Sequence, residues 1–214
     1  KYTEKGPELD LKKFFNLILA KKPKLICIAN PNSPTGTIIK KEDVLKILRI
    51  ARKTKSYVLI DEAYYPYYKF SYVKYLSLYN NLIIVRSAKC YGMSGMRVGY
   101  LISSKEIVSI LNEKRPLYEI NNIAANLFYN SLKNHKQMYK SVQRLQKGKK
   151  FFLKSIKKLG FKTFNGFANF IHVDFGKDRK KILNSLKKII YCREYENHKS
   201  MKNFTRITLT TVKN

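Results

Sequence analysis

Apolar residues in the first half of the chain follow two different spacings. Two stretches place them on one helical face: Leu9, Leu11, Phe14, Phe15, Leu17 and Ile18, and then Val44, Leu45, Ile47, Leu48 and Ala51. Pro23 follows the first stretch and ends that helix. Continuous apolar runs, typical of strands buried on both faces, occupy residues 25–29, 57–60, 82–85 and 98–102. This alternation continues to about residue 115 and predicts a mainly parallel sheet covered by helices.

The pattern changes in the second half of the chain. Residues 120–132 and the basic stretch 137–159 are predicted helices, and Gly160 closes the second one. A strand at 168–175, a helix at 179–190 and a strand at 204–209 follow. These elements predict a smaller α+β unit that begins near residues 130–145. The predicted fold class is therefore α/β, with a large domain over residues 1–135 and a small α+β carboxy-terminal domain over residues 136–214.

The composition narrows the class of protein. Hydrophobic residues make up 44% of the chain, which favours a globular fold over disorder. The chain has three cysteines, an odd number, and no C-x-x-C pair, so neither a disulfide framework nor a zinc site is predicted. This cysteine usage predicts a protein of the reducing cytoplasm. No apolar run approaches the roughly 18 residues of a membrane span, and no charged-then-apolar leader opens the sequence. We therefore expect neither a membrane protein nor a secreted one.

The net charge is unusual. Lysine and arginine outnumber aspartate and glutamate by 44 to 14, a formal charge of +30. Such a field attracts nucleic acid, anionic membranes or phosphorylated small molecules. However, the lysines are spread over every segment, and Asn, Ile and Tyr are abundant with them, as codon bias in an AT-rich genome would produce. Because a binding surface normally needs clustered charge, nucleic acid is not the predicted partner.

The most informative segment for chemistry is Lys89-Cys90-Tyr91-Gly92-Met93-Ser94-Gly95-Met96-Arg97-Val98-Gly99-Tyr100. A lysine just after a buried strand can form an imine, while an arginine eight residues later holds a phosphate. The three glycines allow tight turns and close approach, although glycines can also simply mark a turn. Their spacing is not the G-x-G-x-x-G of a dinucleotide loop.

Two further segments place polar groups at strand ends. Asp61 ends the run 57–60, where a carboxylate can pair with a pyridinium nitrogen. The same pattern would suit the magnesium strand of an ATPase, but the G-x-x-x-x-G-K-[ST] loop of that class is absent from the sequence. A capping aspartate is the other alternative. The turn at residues 30–36, N-P-N-S-P-T-G, either presents an asparagine amide or is only a proline-rich loop.

The three segments, taken in chain order, resemble the motifs of the fold type I pyridoxal-phosphate aminotransferases (class I/II), and most closely those of the histidinol-phosphate aminotransferase group. Their sequences are N-P-N-S-P-T-G, D-E-A-Y and K-x-x-G-x-x-G-x-R-x-G-Y. The resemblance runs the length of the chain, including residues 168–170 and 206–208. It implies that Lys89 forms the Schiff base with the cofactor. Asp61 would then bind the pyridinium nitrogen, Tyr64 the ring oxygen and Arg97 the phosphate. Arg206 would bind the substrate carboxylate, and Arg193 would be a second arginine of the substrate pocket.

The chain departs from the family pattern at two cofactor positions. Ala88 stands where the family usually has a phosphate-binding serine, so Ser87 is the candidate in its place. Ser33 stands where an asparagine often contacts the ring oxygen, so Asn32 is the nearest substitute.

The resemblance also implies an activity. Lys89 and Asp61 would be the catalytic residues of a transamination in amino-acid biosynthesis that uses pyridoxal 5'-phosphate. Glutamate and 2-oxoglutarate would be the donor and acceptor pair, with a phosphorylated small-molecule partner, in a homodimer. Residue 1 falls inside the large domain, so about a third of a family-length chain is expected to be missing at the amino terminus. The alternatives are a related phosphoamino-acid decarboxylase and an inactive remnant that acts as a basic binding or dimerising module.

Overall fold

The computed structural model describes residues 7–195 and 200–212. Its first sheet contains β1 (Leu25–Ala29), β2 (Tyr57–Asp61), β3 (Leu82–Ser87) and β4 (Gly99–Ile102), in that order. The first three strands are parallel, and β4 runs antiparallel to β3. The predicted mainly parallel sheet is confirmed, and parallel strands bring their carboxyl ends to one edge.

Two helices cover one face of this sheet. Helix α1 (Leu11–Lys21) begins at Asp10, whose side chain accepts a hydrogen bond from the backbone N–H of Lys13 at 3.1 Å. Helix α2 (Lys41–Lys53) buries Val44, Ile47, Leu48 and Ala51 completely. They pack with apolar residues of β1, β2 and β3 in the largest core cluster. Burial of one such aliphatic side chain contributes roughly 1.5–3 kcal/mol, so this face holds the large domain together.

Three helices follow the first sheet. They are α3 (Lys105–Glu113), α4 (Asn122–Lys133) and α5 (His135–Lys158). Ser104 and Asn121 cap α3 and α4 by accepting backbone hydrogen bonds at 3.5 and 2.8 Å. The predicted helices at 120–132 and 137–159 agree with α4 and α5 within two residues, and Gly160 follows α5 with a left-handed φ of +80°.

The second sheet is antiparallel and belongs to the carboxy-terminal part. Its strands are β5 (Lys162–Phe164), β6 (Phe170–Asp174), β7 (Arg193–Glu194) and β8 (Thr205–Thr208), in the order β5-β6-β8-β7. The predicted strands at 168–175 and 204–209 are present. Strands β5 and β7 were not predicted, because they are only three and two residues long and largely polar. Apolar residues of β6, β8, α5 and a further helix, α6 (Arg179–Leu186), form a separate core, which includes Ile171, Val173 and Ile207.

The predicted helix at 179–190 was too long. Helix α6 spans Arg179–Leu186, and residues 187–189 form a turn. Leu183 packs into the core, whereas Ile189 is 80% exposed. Since short helices depend on tertiary packing, the helix ends where its buried face ends.

Helix α5 contributes to both parts of the protein. Near its start, Met138 and Val142 pack with Cys90 from the first part, and near its end Ile156 lies in the core of the second sheet. The division of domains between residues 135 and 136 coincides with the start of α5 and stays a prediction.

A pair of glycines joins the turn after β1 to the loop before β6. The N–H of Phe167 donates to the carbonyl of Gly36 at 2.7 Å, and a Cβ on Gly166 would lie 2.7 Å from the Gly36 Cα. Only glycine allows two backbones to approach so closely.

None of the helices within the described ranges is long and apolar enough to cross a membrane.

Candidate active site

The carboxyl ends of β2 and β3 bring two of the predicted site residues together. Asp61 is the last residue of β2, half-buried, and its Oδ1 accepts a hydrogen bond from the N–H of Ala63 at 2.8 Å. Ser87 is the last residue of β3, and its hydroxyl donates to the carbonyl of Ala63 at 3.1 Å. Ala63 therefore links the two side chains at the edge where α/β sheets bind ligands.

Lys89 lies directly beyond this edge. It is in a 3-10 turn, Ala88–Tyr91, that Ser87 caps by accepting the N–H of Lys89 at 3.4 Å. The Lys89 amino group lies 4.4 Å from the centre of the Tyr64 ring, over its face. Tyr64 is buried, with 8% of its surface exposed. The structure thus places the amine of Lys89 in contact with the phenol predicted to share its site.

Two aromatic rings connect this edge to the second sheet. The Tyr64 ring meets the ring of Phe170 edge-on, with centroids 5.6 Å apart. The guanidinium carbon of Arg206 lies 4.7 Å from the centre of the same Phe170 ring. Arg206 is on β8, paired with His172 on β6 and with Arg193 on β7. The predicted substrate arginines are therefore neighbours, and Arg206 reaches the Lys89 region through Phe170 and Tyr64.

The turn at residues 30–36 begins beside Asp61. The N–H of Asn30 donates to the Asp61 carbonyl at 2.9 Å. The buried Asn30 side chain closes the turn through Ile39, whose N–H it accepts at 2.9 Å. Asn32, the residue predicted to contact the cofactor ring, donates from Nδ2 to the Thr35 hydroxyl at 2.7 Å. The Asn32 side chain is therefore held within the turn. Asn30, which shapes the turn, was not singled out in the sequence analysis.

Arg97 is placed differently from the other predicted cofactor residues. Its backbone is left-handed, with φ of +57°, a conformation that costs a non-glycine residue about 1–3 kcal/mol. Its exposed side chain donates to the carbonyl of Ser94 at 3.4 Å. In the described part of the chain no hydrogen bond or ring contact joins it to Asp61, Tyr64 or Lys89.

His172 lies behind Arg206 and was not predicted. It is fully buried among aromatic rings, which belong to Phe164, Phe170, Tyr195 and Phe204. Burial, and secondly the charge of Arg206, lower the pKa of His172 to about 4. The imidazole is therefore neutral near pH 7, and Arg206 is the charged group of this pair.

A buried ion pair was also not predicted. Glu62 is 1% exposed, and both Nε and Nη2 of Arg86 lie 3.0 Å from its Oε2. The D-E-A-Y motif marks Glu62 only as the neighbour of Asp61, and Arg86 is in a different strand. No signal in the sequence connects the two residues.

Comparison with known proteins establishes the family. The family described as aminotransferase class I and II matches residues 1–214. The chain belongs to this family. It is 31% identical over 204 residues to the histidinol-phosphate aminotransferase of Caldanaerobacter subterraneus subsp. tengcongensis, an alignment that covers 94% of this chain and 57% of that protein. It is 34% identical over 194 residues to the enzyme of the same name from Buchnera aphidicola subsp. Schizaphis graminum, covering 88% and 54%.

Solved structures of the family agree. The structure superimposes on the histidinol-phosphate aminotransferase from Clostridium acetobutylicum with a TM-score of 0.86 and 28% identity, over 99% of this chain and 66% of that one. The Sinorhizobium meliloti enzyme, solved in complex with pyridoxal-5'-phosphate, shares the fold at a TM-score of 0.83 and 20% identity, over 99% of this chain and 59% of that one. The aminotransferase fold predicted from the motifs is confirmed, and the chain spans little more than half the length of the curated relatives it matches.

Proposed function

We propose that this aminotransferase chain carries the lysine-bearing half of a pyridoxal 5'-phosphate site for transamination of the histidinol-phosphate aminotransferase type, with Lys89 as the residue that bonds the cofactor. The position of the Lys89 amine supports the proposal most directly. It lies 4.4 Å from the centre of the Tyr64 ring, at the edge of the sheet where β2 ends with Asp61. The relatives named histidinol-phosphate aminotransferase support the reaction type.

The residues present fit the cofactor by their chemistry. An amine, a carboxylate, a phenol and a hydroxyl converge from Lys89, Asp61, Tyr64 and Ser87. They match in turn an aldehyde, a protonated ring nitrogen, a ring oxygen and a phosphate oxygen. Once bound, the cofactor supplies an aldehyde that links to amines and a ring that withdraws electrons from the substrate.

Each side chain has a separate task in this proposal. Asp61, oriented by the Ala63 N–H, accepts a hydrogen bond from the ring nitrogen and keeps it protonated. Tyr64 and Asn32 bind the ring oxygen. Lys89 removes the proton from the substrate α-carbon and returns it, as a general base and then a general acid. These roles make Lys89 and Asp61 the catalytic residues.

The phosphate and the substrate carboxylate are anions, which hydroxyl and guanidinium groups bind. Ser87 and Arg97 are the proposed phosphate ligands, and Arg97 would exchange the Ser94 carbonyl for the phosphate. Arg206 binds the substrate carboxylate, with its guanidinium held against Phe170, and Arg193 lies beside it on β7. Glutamate and 2-oxoglutarate are the proposed donor and acceptor pair, with a phosphorylated small molecule as the other substrate.

The assembly is proposed to be a homodimer in the cytoplasm. Leu117, Tyr118 and Ile123 are 85%, 97% and 72% exposed, and apolar surface of this kind supports a protein contact. Cys27, Cys90 and Cys192 are all free, in keeping with a reducing compartment.

The two other functions considered from the sequence are not favoured. A fold likeness to the L-threonine-O-3-phosphate decarboxylase of Porphyromonas gingivalis exists, with a TM-score of 0.73, but at 18% identity it concerns the fold alone. An inactive basic module is not favoured either, because the match to the aminotransferase family and the contact of the Lys89 amine with the Tyr64 ring support an enzyme.

The proposal is tested by trapping the cofactor on the chain. Wild-type protein incubated with pyridoxal 5'-phosphate should develop an imine absorption band, and borohydride reduction followed by peptide mass spectrometry should locate the adduct on Lys89. Lys89→Ala should abolish both signals, whereas Lys136→Ala, which removes an exposed lysine of α5, should change neither. A band that persists in Lys89→Ala, or an adduct spread over many lysines, would contradict the proposal.

A further inference from the structure

The buried ion pair of Glu62 and Arg86 lies next to two residues of the proposed site in the sequence. Glu62 follows Asp61 at the end of β2, and Arg86 precedes Ser87 at the end of β3. The exposed fractions of the two side chains are 1% and 14%. The pair therefore crosses between the two strands at the level of the proposed site.

Several hydrogen bonds hold the pair in place. Two nitrogens of Arg86 bind the same oxygen of Glu62 at 3.0 Å. The Ser71 hydroxyl donates to that oxygen at 2.8 Å and accepts from Arg86 Nη2 at 2.7 Å, while the N–H of Tyr72 donates to the other oxygen at 2.7 Å. The Arg86 guanidinium carbon also lies 3.7 Å from the centre of the Tyr65 ring. Neither charged group can rotate without losing several of these contacts.

The pair lies beside the proposed site without containing either catalytic residue. Successive side chains of a strand point to opposite faces, so Arg86 and Ser87 leave β3 in different directions, although both line one cavity with Tyr65 and Tyr91. Glu62 follows the last residue of β2 and contacts Tyr72, a member of the core beneath α1 and α2. The pair therefore connects the strand ends that carry Asp61 and Ser87.

We propose that Glu62 and Arg86 are positioning residues, a clamp that holds the ends of β2 and β3 in one register and thereby sets Asp61 relative to Lys89. This rests on the proposed function. Replacing a buried ion pair by apolar residues is often neutral for stability, so a pair with this many hydrogen bonds is better explained by the geometry it imposes. The Ala63 contacts to Asp61 and Ser87 depend on that geometry.

The test combines two measurements on three variants. Glu62→Gln keeps the shape but removes the charge, and Arg86→Lys keeps the charge but removes the planar double contact. Glu113→Gln is the control, since Glu113 is an exposed carboxylate on α3. The first measurement is hydrogen exchange of the protein without cofactor. The second is the affinity for pyridoxal 5'-phosphate and the pH midpoint of its visible absorption band.

The clamp predicts local effects. Both clamp variants should accelerate hydrogen exchange in residues 86–91 at least about tenfold, with no change in β6 and β8. They should also weaken the affinity for pyridoxal 5'-phosphate at least about tenfold and shift the pH midpoint of its absorption band. The control should change none of these. Exchange that rises equally in both sheets, exchange that does not change, or an unaltered affinity and midpoint would each overturn the clamp. If the wild-type protein itself forms no band, the proposed function fails and the positioning role fails with it, whereas failure in the variants alone rejects only the clamp.

Discussion

The buried His172 predicts that this protein loses stability in mild acid. In the unfolded chain a histidine takes up a proton near its ordinary pKa of 6.5, whereas in the folded protein burial and the Arg206 charge hold the pKa of His172 at about 4. Between these two values the unfolded state binds more protons than the folded state. The contribution of the neutral imidazole is therefore fully present above about pH 6.5 and is lost as the pH falls towards 4.

The size of the effect follows from the two pKa values. A difference of one pKa unit corresponds to about 1.4 kcal/mol, so the interval from 6.5 to about 4 gives a loss of about 3 kcal/mol at its acid end. At pH 4.5 most of this loss, about 2 kcal/mol or slightly more, should already be present. That is a large part of the 5–15 kcal/mol that typically stabilises a folded domain.

Urea unfolding followed by far-ultraviolet circular dichroism at pH 7.5 and pH 4.5 measures this loss. Because carboxylates also titrate in this range, the informative quantity is the difference between variants. Between pH 7.5 and pH 4.5, the free energy of unfolding of His172→Leu should fall by about 2 kcal/mol less than that of the wild type. His135→Gln, which removes an exposed histidine at the start of α5, should keep the wild-type response. Parallel pH profiles for wild type and His172→Leu would show that protonation of His172 does not cause the loss of stability.

Two further predictions concern packing and reactivity. A Cβ on Gly148 would overlap the carbonyl oxygen of Thr210, so Gly148→Ala should lower the free energy of unfolding in urea titrations by about 1–3 kcal/mol or more. Gly95→Ala, which has open space around the new methyl group, should change it far less. Burial raises the pKa of the Cys90 thiol to about 12. At pH 8 a thiol reagent should therefore modify the exposed Cys27 first and reach Cys90 only when the protein unfolds. Rapid labelling of Cys90 in the folded protein would contradict this.

The sequence predicted the first sheet well because its strands are unambiguous. Their continuous apolar runs identified the strands, but the prediction that all of them are buried on both faces was wrong for β1 and β2, where Cys27 and Tyr57 are exposed. The small sheet was predicted less completely. Strands β5 and β7 exist because β6 and β8 offer hydrogen-bonding edges, and helix α6 ends where Leu183 and its neighbours stop meeting the core. Local sequence contains neither kind of information.

The proposed site divides in the same way. Asp61, Ser87 and Lys89 could be placed together from the sequence, since each lies at or just beyond the end of one of two parallel strands and such ends share an edge. The path from Tyr64 through Phe170 to Arg206 could not, because it depends on how the second sheet packs against the first. For Arg97 the spacing from Lys89 predicted a phosphate ligand, while the structure shows its side chain on the Ser94 carbonyl.

Motif spacing and hydrophobic period are local properties of the chain, so the order of the site residues and the strand ends that carry them were predictable from the sequence. These were sufficient to identify the family and to propose Lys89. The meetings of distant groups became visible only in the folded protein: the Glu62–Arg86 ion pair, the neutral His172 behind Arg206, and the contact of Gly36 with Gly166. Burial, and the pKa values and ion pairs that depend on it, result from packing between segments far apart in the chain, which local sequence does not specify.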